Sequence, residues 1–195
     1  MVHTKASIEA NPQLNVSFLW DGVVSPELEQ IRREVERFTA AMSRDDWRYA
    51  PPGKWSCAQI LEHLLLSYTA TTKGTQTAIQ TGKPLGGQPR LRDRLATFYV
   101  ARLGFIPSGR TAPKQATPKD GVGAESLRQF NDALVAMDAT LTDAEKRFGS
   151  ACKILDHPIL GPLNTKDWRR VHRTHAKHHL KQIEKRLRQA SSGRA

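Results

Sequence analysis

The sequence predicts an all-α protein, a single four-helix bundle with a long insert between its second and third helices. Four segments place apolar residues three and four positions apart, which is the spacing of an amphipathic helix. No segment of strand length alternates convincingly between apolar and polar residues. The 195 residues suit one domain, and no repeat is visible. The core of this domain is expected to span about residues 25–187.

The first two helices are predicted from their start signals. In SPELEQ, Ser25 is the expected N-cap and Pro26 takes the first helical position. The apolar spine of this helix consists of Leu28, Ile31, Val35, Phe38 and Met42. The second helix begins at WSCAQILEHLLLSY, where Ser56 and Gln59 form a capping-box pattern. Its body is apolar almost all round, so we expect this helix to be central.

The third and fourth helices also have apolar spines. The third spine repeats at heptad spacing, which suits a narrow seam between bundled helices. It consists of Leu127, Phe130, Leu134, Met137 and Leu141. The fourth helix begins at LNTKDW, with Asn164 as N-cap and Asp167 in the first turn. Leu163 can pack against Trp168 there, and the tail at 190–195 is expected to fray.

The insert covers about residues 82–123 and is rich in Pro, Gly and basic residues. Its middle is expected to form a short helix that ends at Gly104. The apolar residues of this helix are Leu91, Leu95, Phe98, Tyr99 and Leu103. Connections this long in a compact domain are usually functional or disordered.

Composition predicts a soluble, cytoplasmic protein without a membrane partner. The only cysteines, Cys57 and Cys152, are too few for a disulfide framework. No apolar run has the length of a signal peptide or of a membrane span. The formal net charge of +11 is concentrated in residues 82–195, which carry 22 Lys/Arg against 10 Asp/Glu. The basic half of the chain therefore needs its own explanation.

Two histidines of the fourth helix point towards its buried side. On a helical wheel of about 100° per residue with Trp168 at 0°, His175 falls at about −20° and His179 at about +20°. Imidazoles one turn apart can share a metal ion, as they do in the H-E-x-x-H zinc helix, although Ala176 replaces the glutamate. Hydrogen-bonded core histidines are the alternative.

His63 is the candidate third ligand. It interrupts the most apolar segment of the chain, where a buried imidazole must find a partner. A backbone carbonyl can satisfy it, but facing helices of a bundle also commonly build metal sites in the core. Three neutral imidazoles would leave positions open for water and substrate, as catalytic metal sites do.

These motifs resemble those of a known superfamily. WSCAQILEHLLLSY together with HPILGPLNTKDWRRVHRTHAKHHLKQI is similar to the DinB-like (YfiT-like) metal-binding four-helix bundles, and to a bacterial branch of unknown function. The Pro-rich GFIPSGRTAP of the insert also resembles that branch. The resemblance implies a metal triad of His63, His175 and His179, a divalent metal such as nickel or zinc, and a homodimer. It implies a thiol-dependent S-transferase, using a low-molecular-weight thiol, or a hydrolase acting on a small-molecule substrate.

Other polar residues have two interpretations each. His157, before Pro158, either lines the metal mouth as an acid, base or substrate contact, or belongs to a turn. Gln182 either bonds a metal-bound water or a ligand imidazole, or packs between helices. His172 is a candidate for contact with the ligands. Residues 107–120 of the insert are expected to cover the metal mouth.

The basic residues of the fourth helix allow a different class of function, a non-catalytic ligand- or nucleic-acid-binding protein. They are Lys166, Arg169, Arg170, Arg173, Lys177, Lys181, Lys185, Arg186 and Arg188, against Asp167 and Glu184. Such a stripe can contact phosphates, but no recognised nucleic-acid motif accompanies it, and it is more often the solvated side of a helix. Attraction of an anionic thiol or acidic substrate is an intermediate possibility.

Overall fold

The computed structural model describes residues 24–106, 112–119 and 123–192. These residues are mostly helical, in agreement with the predicted all-α class. The helices in chain order are α1 (Pro26–Thr39), α2 (Arg44–Arg48), α3 (Cys57–Thr81), α4 (Leu91–Thr97), α5 (Gly123–Phe148) and α6 (Thr165–Ser192). A π-helical turn (Phe98–Arg102) continues α4, a 3-10 turn (Lys114–Ala116) lies in the insert, and two strands, β1 (Leu155–His157) and β2 (Gly161–Leu163), precede α6.

The four helices predicted from the apolar spines are α1, α3, α5 and α6. Helix α3 packs along α5 and α1 packs along α6, while both α3 and α5 contact α6. Their spines meet in one core, in which the largest fully buried side chains include Leu28, Ile31, Leu64, Tyr68, Phe130, Leu134, Met137 and Leu141. Among the described residues, no helix is both long and apolar enough to cross a bilayer.

The predicted helix starts are present, with one difference in capping. Ser56 and Gln59 form the capping box of α3, and the Asn164 side chain accepts from the backbone N–H of Asp167 at 2.8 Å. Ser25 occupies the N-cap of α1, but its side chain makes no capping hydrogen bond. Its backbone N–H instead donates to Asp138 of α5, which ties the start of α1 to that helix.

Several features of the described helices and strands differ from the prediction. The first helix ends at Thr39, so Met42 lies beyond it although it packs against the core. The short helix α2 follows, with its own capping box. The antiparallel hairpin β1–β2 was missed because strands of three residues are too short to show alternation. Helix α6 continues through the tail expected to fray as far as Ser192, and residues 193–195 lie outside the described residues.

The hairpin holds the insert against the body of the protein. Gly161 in β2 has φ +70°, and a Cβ there would approach Asp93 of α4 at 2.6 Å. The insert is also attached by a hydrogen bond from the Leu85 backbone N–H to the Ile154 carbonyl at 2.9 Å. The π-helical turn that continues α4 ends at Arg102, and Gly104, the residue expected to end the short helix, follows the C-cap Leu103 with φ +68°.

Candidate metal centre

Helices α3 and α6 bring the three predicted ligands together. His63 lies on the α3 side that faces α6, while His175 and His179 lie one turn apart on α6. His63 and His179 are 5% and 7% exposed, and His175 is half-buried. Their apolar neighbours on both helices place these polar side chains in the core, as the helical wheel predicted.

The three imidazoles converge through their Nε2 atoms. The Nε2 of His175 lies 3.0 Å from the Nε2 of His63 and 3.0 Å from that of His179. One ligand atom from each residue lies within 4.8 Å of the other two. Two nitrogens 3.0 Å apart can share one ion at the about 2.1 Å of an imidazole–zinc bond. The group could therefore hold a metal ion.

Hydrogen bonds at the far ring nitrogens direct lone pairs to the centre of this group. The Nδ1 of His63 lies 2.6 Å from the carbonyl oxygen of Ala116, which can only accept, so this Nδ1 carries the proton. The Nδ1 of His179 donates to Oε1 of Gln182 at 3.0 Å. In both neutral rings the Nε2 is then unprotonated and is available to a metal. Such partners commonly orient metal-bound histidines.

Burial keeps the three rings neutral. Loss of solvent lowers the pKa of His63 and lowers that of His179 to about 3, where the neighbouring His63 contributes further. The pKa of His175 is well below its usual value for the same reason, with added repulsion from His179 and His63. Neutral imidazole is the form that binds metals, so metal binding needs little proton release near neutral pH.

Trp55 and Arg186 support the site, and neither was predicted to do so. The Trp55 ring lies 4.9 Å from the His63 ring and 6.4 Å from the His179 ring, centroid to centroid. Arg186 is buried and donates to the backbone carbonyls of Trp55 and Gln182. It thus joins the residue that covers the histidines to the residue that orients His179. In the sequence, the position of Trp55 directly before the N-cap Ser56 of α3 was the one feature that could have indicated its role.

Among the described residues, Gln182 lies beside His179, whereas His157 makes no hydrogen bond or ring contact with any of the three predicted ligands. The backbone N–H groups of Ile159 and Leu160 donate to Nδ1 of His157 at 3.1 and 3.2 Å, which makes His157 a residue of the hairpin turn. Its ring packs on Trp168, which precedes His175 by about 10 Å along α6. Burial lowers the pKa of His157 to about 4.

His157 lines a different opening in the surface. A cleft of about 840 Å³ lies between the insert and the hairpin, and its lining includes His157, Arg90, Arg92, Asp93 and Asp156. None of the three clustered histidines lines it. The expectation that His157 lines the metal mouth therefore has no support from the geometry.

His172 belongs to a neighbouring polar stack in the core. Its Nε2 lies 2.9 Å from the hydroxyl of Thr71, and its ring packs between Trp168 and Tyr68 at 5.5 and 5.0 Å. Burial lowers the pKa of His172 to about 3. It makes no described hydrogen bond or ring contact with His63, His175 or His179, although its charge contributes to the lowered pKa of His175. It is therefore a core residue next to the site.

The basic stripe of α6 is not a continuous solvated face. Arg169 bonds Asp138 at 2.6 Å and Glu145 at 3.0 Å, with only 12% of its side chain exposed. Arg186 is buried, and Arg173 is half-buried. These basic residues do not share one side of the helix. On the same wheel of about 100° per residue Arg186 falls at about 0°, with Trp168, and α6 contacts α1, α3, α5 and the π-helical turn, so more than one side of it is covered. Within α6, the exposed cations are Lys166, Lys181, Lys185 and Arg188.

Comparison with known proteins identifies a family without a known activity. No curated protein and no solved structure matches the chain. A family model described as a protein of unknown function (DUF1569) matches residues 26–186. This match includes all three histidines and covers most of the chain. The chain therefore belongs to the DUF1569 family.

Proposed function

We propose that this chain is a metal-dependent enzyme in which His63, His175 and His179 bind one divalent cation. The observation that carries the proposal is the convergence of three Nε2 atoms in the core, with the far nitrogens of two rings already bonded. Without a cation, the unprotonated Nε2 atoms of His63 and His179 both lie 3.0 Å from the Nε2 of His175, and a neutral His175 can offer them at most one proton. A bound cation would interact with the lone pairs of all three nitrogens.

The fold and the reaction class of the proposal follow the DinB-like resemblance. In this proposal α1, α3, α5 and α6 are the four helices of the bundle, and the active form is a homodimer. Imidazole ligands suit zinc and nickel. When bound, such an ion supplies a Lewis acid that lowers the pKa of a thiol or water. The reaction is then transfer to or from a low-molecular-weight thiol, or hydrolysis of a small molecule.

The chain's own residues prepare the site for this chemistry. Ala116 and Gln182 hold two ligand rings in the tautomer that binds metal, and Trp55 covers one side of the histidines. Because three protein ligands do not fill the coordination sphere of zinc or nickel, the remaining positions are open to a substrate. The excess of basic residues attracts an anionic thiol or acidic substrate.

Elemental analysis of the purified native protein tests the metal centre. We expect near-stoichiometric zinc or nickel in the native protein and its loss in His63→Ala, His175→Ala and His179→Ala. His178→Ala is the matched control, because His178 lies on the same helix but outside the convergent group. Unchanged metal content in all three variants would disprove the site. Incubating the metal-loaded protein with low-molecular-weight thiols and electrophilic substrates then tests the reaction.

A further inference from the structure

One segment of the insert presents its large apolar side chains to solvent. Six of them, which we call the insert face, are each more than half exposed: Leu91 (74%), Leu95 (53%), Phe98 (52%), Tyr99 (53%), Leu103 (59%) and Phe105 (60%). The smaller Ala96 and Ala101 lie on the covered side. At about 200 Å² for each fully exposed side chain, the face offers roughly 700 Å². This exceeds the usual apolar patch of a monomer.

The backbone holds this face in place. The backbone N–H of Leu103 donates to the Phe98 carbonyl at 3.2 Å, the five-residue step of a π-helical turn. In an α-helix these two residues would be about 140° apart, whereas the wider turn brings them to one side. The Thr174 hydroxyl of α6 donates to the Val100 carbonyl at 3.1 Å. The segment is therefore fixed to α6 with its apolar side outwards.

Basic residues are interspersed along the chain with the apolar residues of the insert face. Residues 83–106 contain five Lys/Arg and a single acidic residue, Asp93. The five cations are all exposed: Lys83, Arg90, Arg92, Arg94 and Arg102. Asp93 accepts from the backbone N–H of Arg90 at 2.9 Å and lies 3.5 Å from Arg92. The face therefore keeps a net positive charge next to its apolar surface.

We propose that the insert face docks on an anionic lipid surface. Helices that lie in a membrane interface combine Leu and aromatic side chains with Lys/Arg, and their length does not distinguish them from other helices. The arginine side chains can bond headgroup phosphates while their stems and the apolar residues enter the acyl boundary. This proposal goes beyond the metal centre, does not depend on it, and differs from the expectation of no membrane partner.

Two other occupants fit the face less well. A second copy of the chain, related by a two-fold axis, would bring two basic faces together without acidic partners. A nucleic acid would match the charge and could stack on Phe98, Tyr99 and Phe105. The leucines, however, offer no plane for bases, and half of the face is leucine.

Vesicle co-sedimentation of the full chain tests the proposal. The vesicles are phosphatidylcholine alone, or two parts phosphatidylcholine to one part phosphatidylglycerol. We expect partition onto the anionic vesicles only. The double substitution Leu95→Ser/Phe98→Ser should weaken partition on the order of tenfold or more. Arg94→Glu/Arg102→Glu should weaken it by at least about fivefold for each arginine lost.

Lys181→Glu/Lys185→Glu is the matched charge control, since both lysines are exposed but belong to α6 and not to the insert. Far-UV circular dichroism and metal content of each variant report on folding, and the substituted residues are exposed enough to leave it intact. The proposal would be overturned if the lysine control lost as much vesicle partition as the arginine variant. It would also be overturned if the wild type bound vesicles of phosphatidylcholine alone as well as it bound anionic vesicles. If the wild type does not bind vesicles, two results would assign the face to another occupant and overturn the proposal. One is a dimer that dissociates in Leu95→Ser/Phe98→Ser, and the other is DNA binding that only the arginine substitutions remove.

Discussion

Gln182 provides the sharpest test of how the candidate metal centre is organised. Its Oε1 accepts from Nδ1 of His179 at 3.0 Å, and its Nε2 lies 3.0 Å from Nε2 of His178. In Gln182→Ala, the Nδ1–H of the buried His179 loses its partner, and the ring can turn or change tautomer. We expect the protein to fold and to bind the metal more weakly.

The size of the effect follows from this single hydrogen bond. Loss of an outer partner of a metal-bound histidine typically weakens metal affinity by about 10- to 100-fold. At a fixed excess of metal, this factor reduces the stabilisation that metal binding gives to the folded protein by about 1.4–2.7 kcal/mol. The entropy of unfolding of 195 residues is about 0.4 kcal/mol per kelvin. The metal-induced increase in Tm should therefore be about 3–7 °C smaller in Gln182→Ala than in the wild type.

The assay is thermal unfolding of chelator-treated protein with and without added zinc or nickel, together with direct titration of the metal. Gln182→Glu keeps an acceptor for His179 and should retain wild-type affinity or exceed it. His178→Ala removes the other partner of Gln182 and should change affinity little. Wild-type affinity in Gln182→Ala, or an equal loss in His178→Ala, would refute the assigned role of this hydrogen bond.

Two further predictions concern stability. Because burial lowers the pKa of His157 to about 4, the metal-free protein should lose stability as pH falls from about 6.5 towards 4, with His157 contributing about 2 kcal/mol between pH 7 and pH 5. His157→Asn keeps a turn acceptor but cannot titrate. In urea unfolding, the free energy of unfolding of this variant should therefore depend less on pH than that of the wild type, and an equal pH dependence would contradict the role given to His157. Arg169→Leu leaves Asp138 buried without its guanidinium and should cost about 3 kcal/mol. Arg188→Leu removes only the exposed ion pair with Glu184, so its free energy of unfolding should stay within about 0.5 kcal/mol of the wild-type value in the same chemical denaturation. Equal losses of stability in Arg169→Leu and Arg188→Leu would contradict this difference.

The convergence of the histidines could be predicted because it depends on local periodicity. His175 and His179 are one turn apart, so they share a side whatever the tertiary structure. His63 could be proposed because a polar residue in an apolar helix needs a partner. The pairing of α3 with α6 then brings the three rings together.

The partners of the histidines could not be predicted in the same way. The Ala116 carbonyl belongs to the backbone of a 3-10 turn, and any residue type provides that oxygen. Trp55 precedes α3 and reaches His63 only through the path of the chain. The basic residues of α6 do not form one solvated stripe, because their excess in the sequence does not show which of them other elements cover. Arg169 and Arg186 are held inside by acidic and carbonyl groups from other elements.

The insert contacts the candidate site at two points, and this changes its expected role. Ala116 completes the hydrogen bonding of His63, and Val100 is bonded to Thr174, the residue next to His175. A segment that only covers the opening could be shortened without effect on the metal. Here, loss of the segment at 112–119 removes the acceptor that fixes the tautomer of His63. The insert is therefore part of the candidate metal centre, and shortening it should lower metal affinity together with ligand binding.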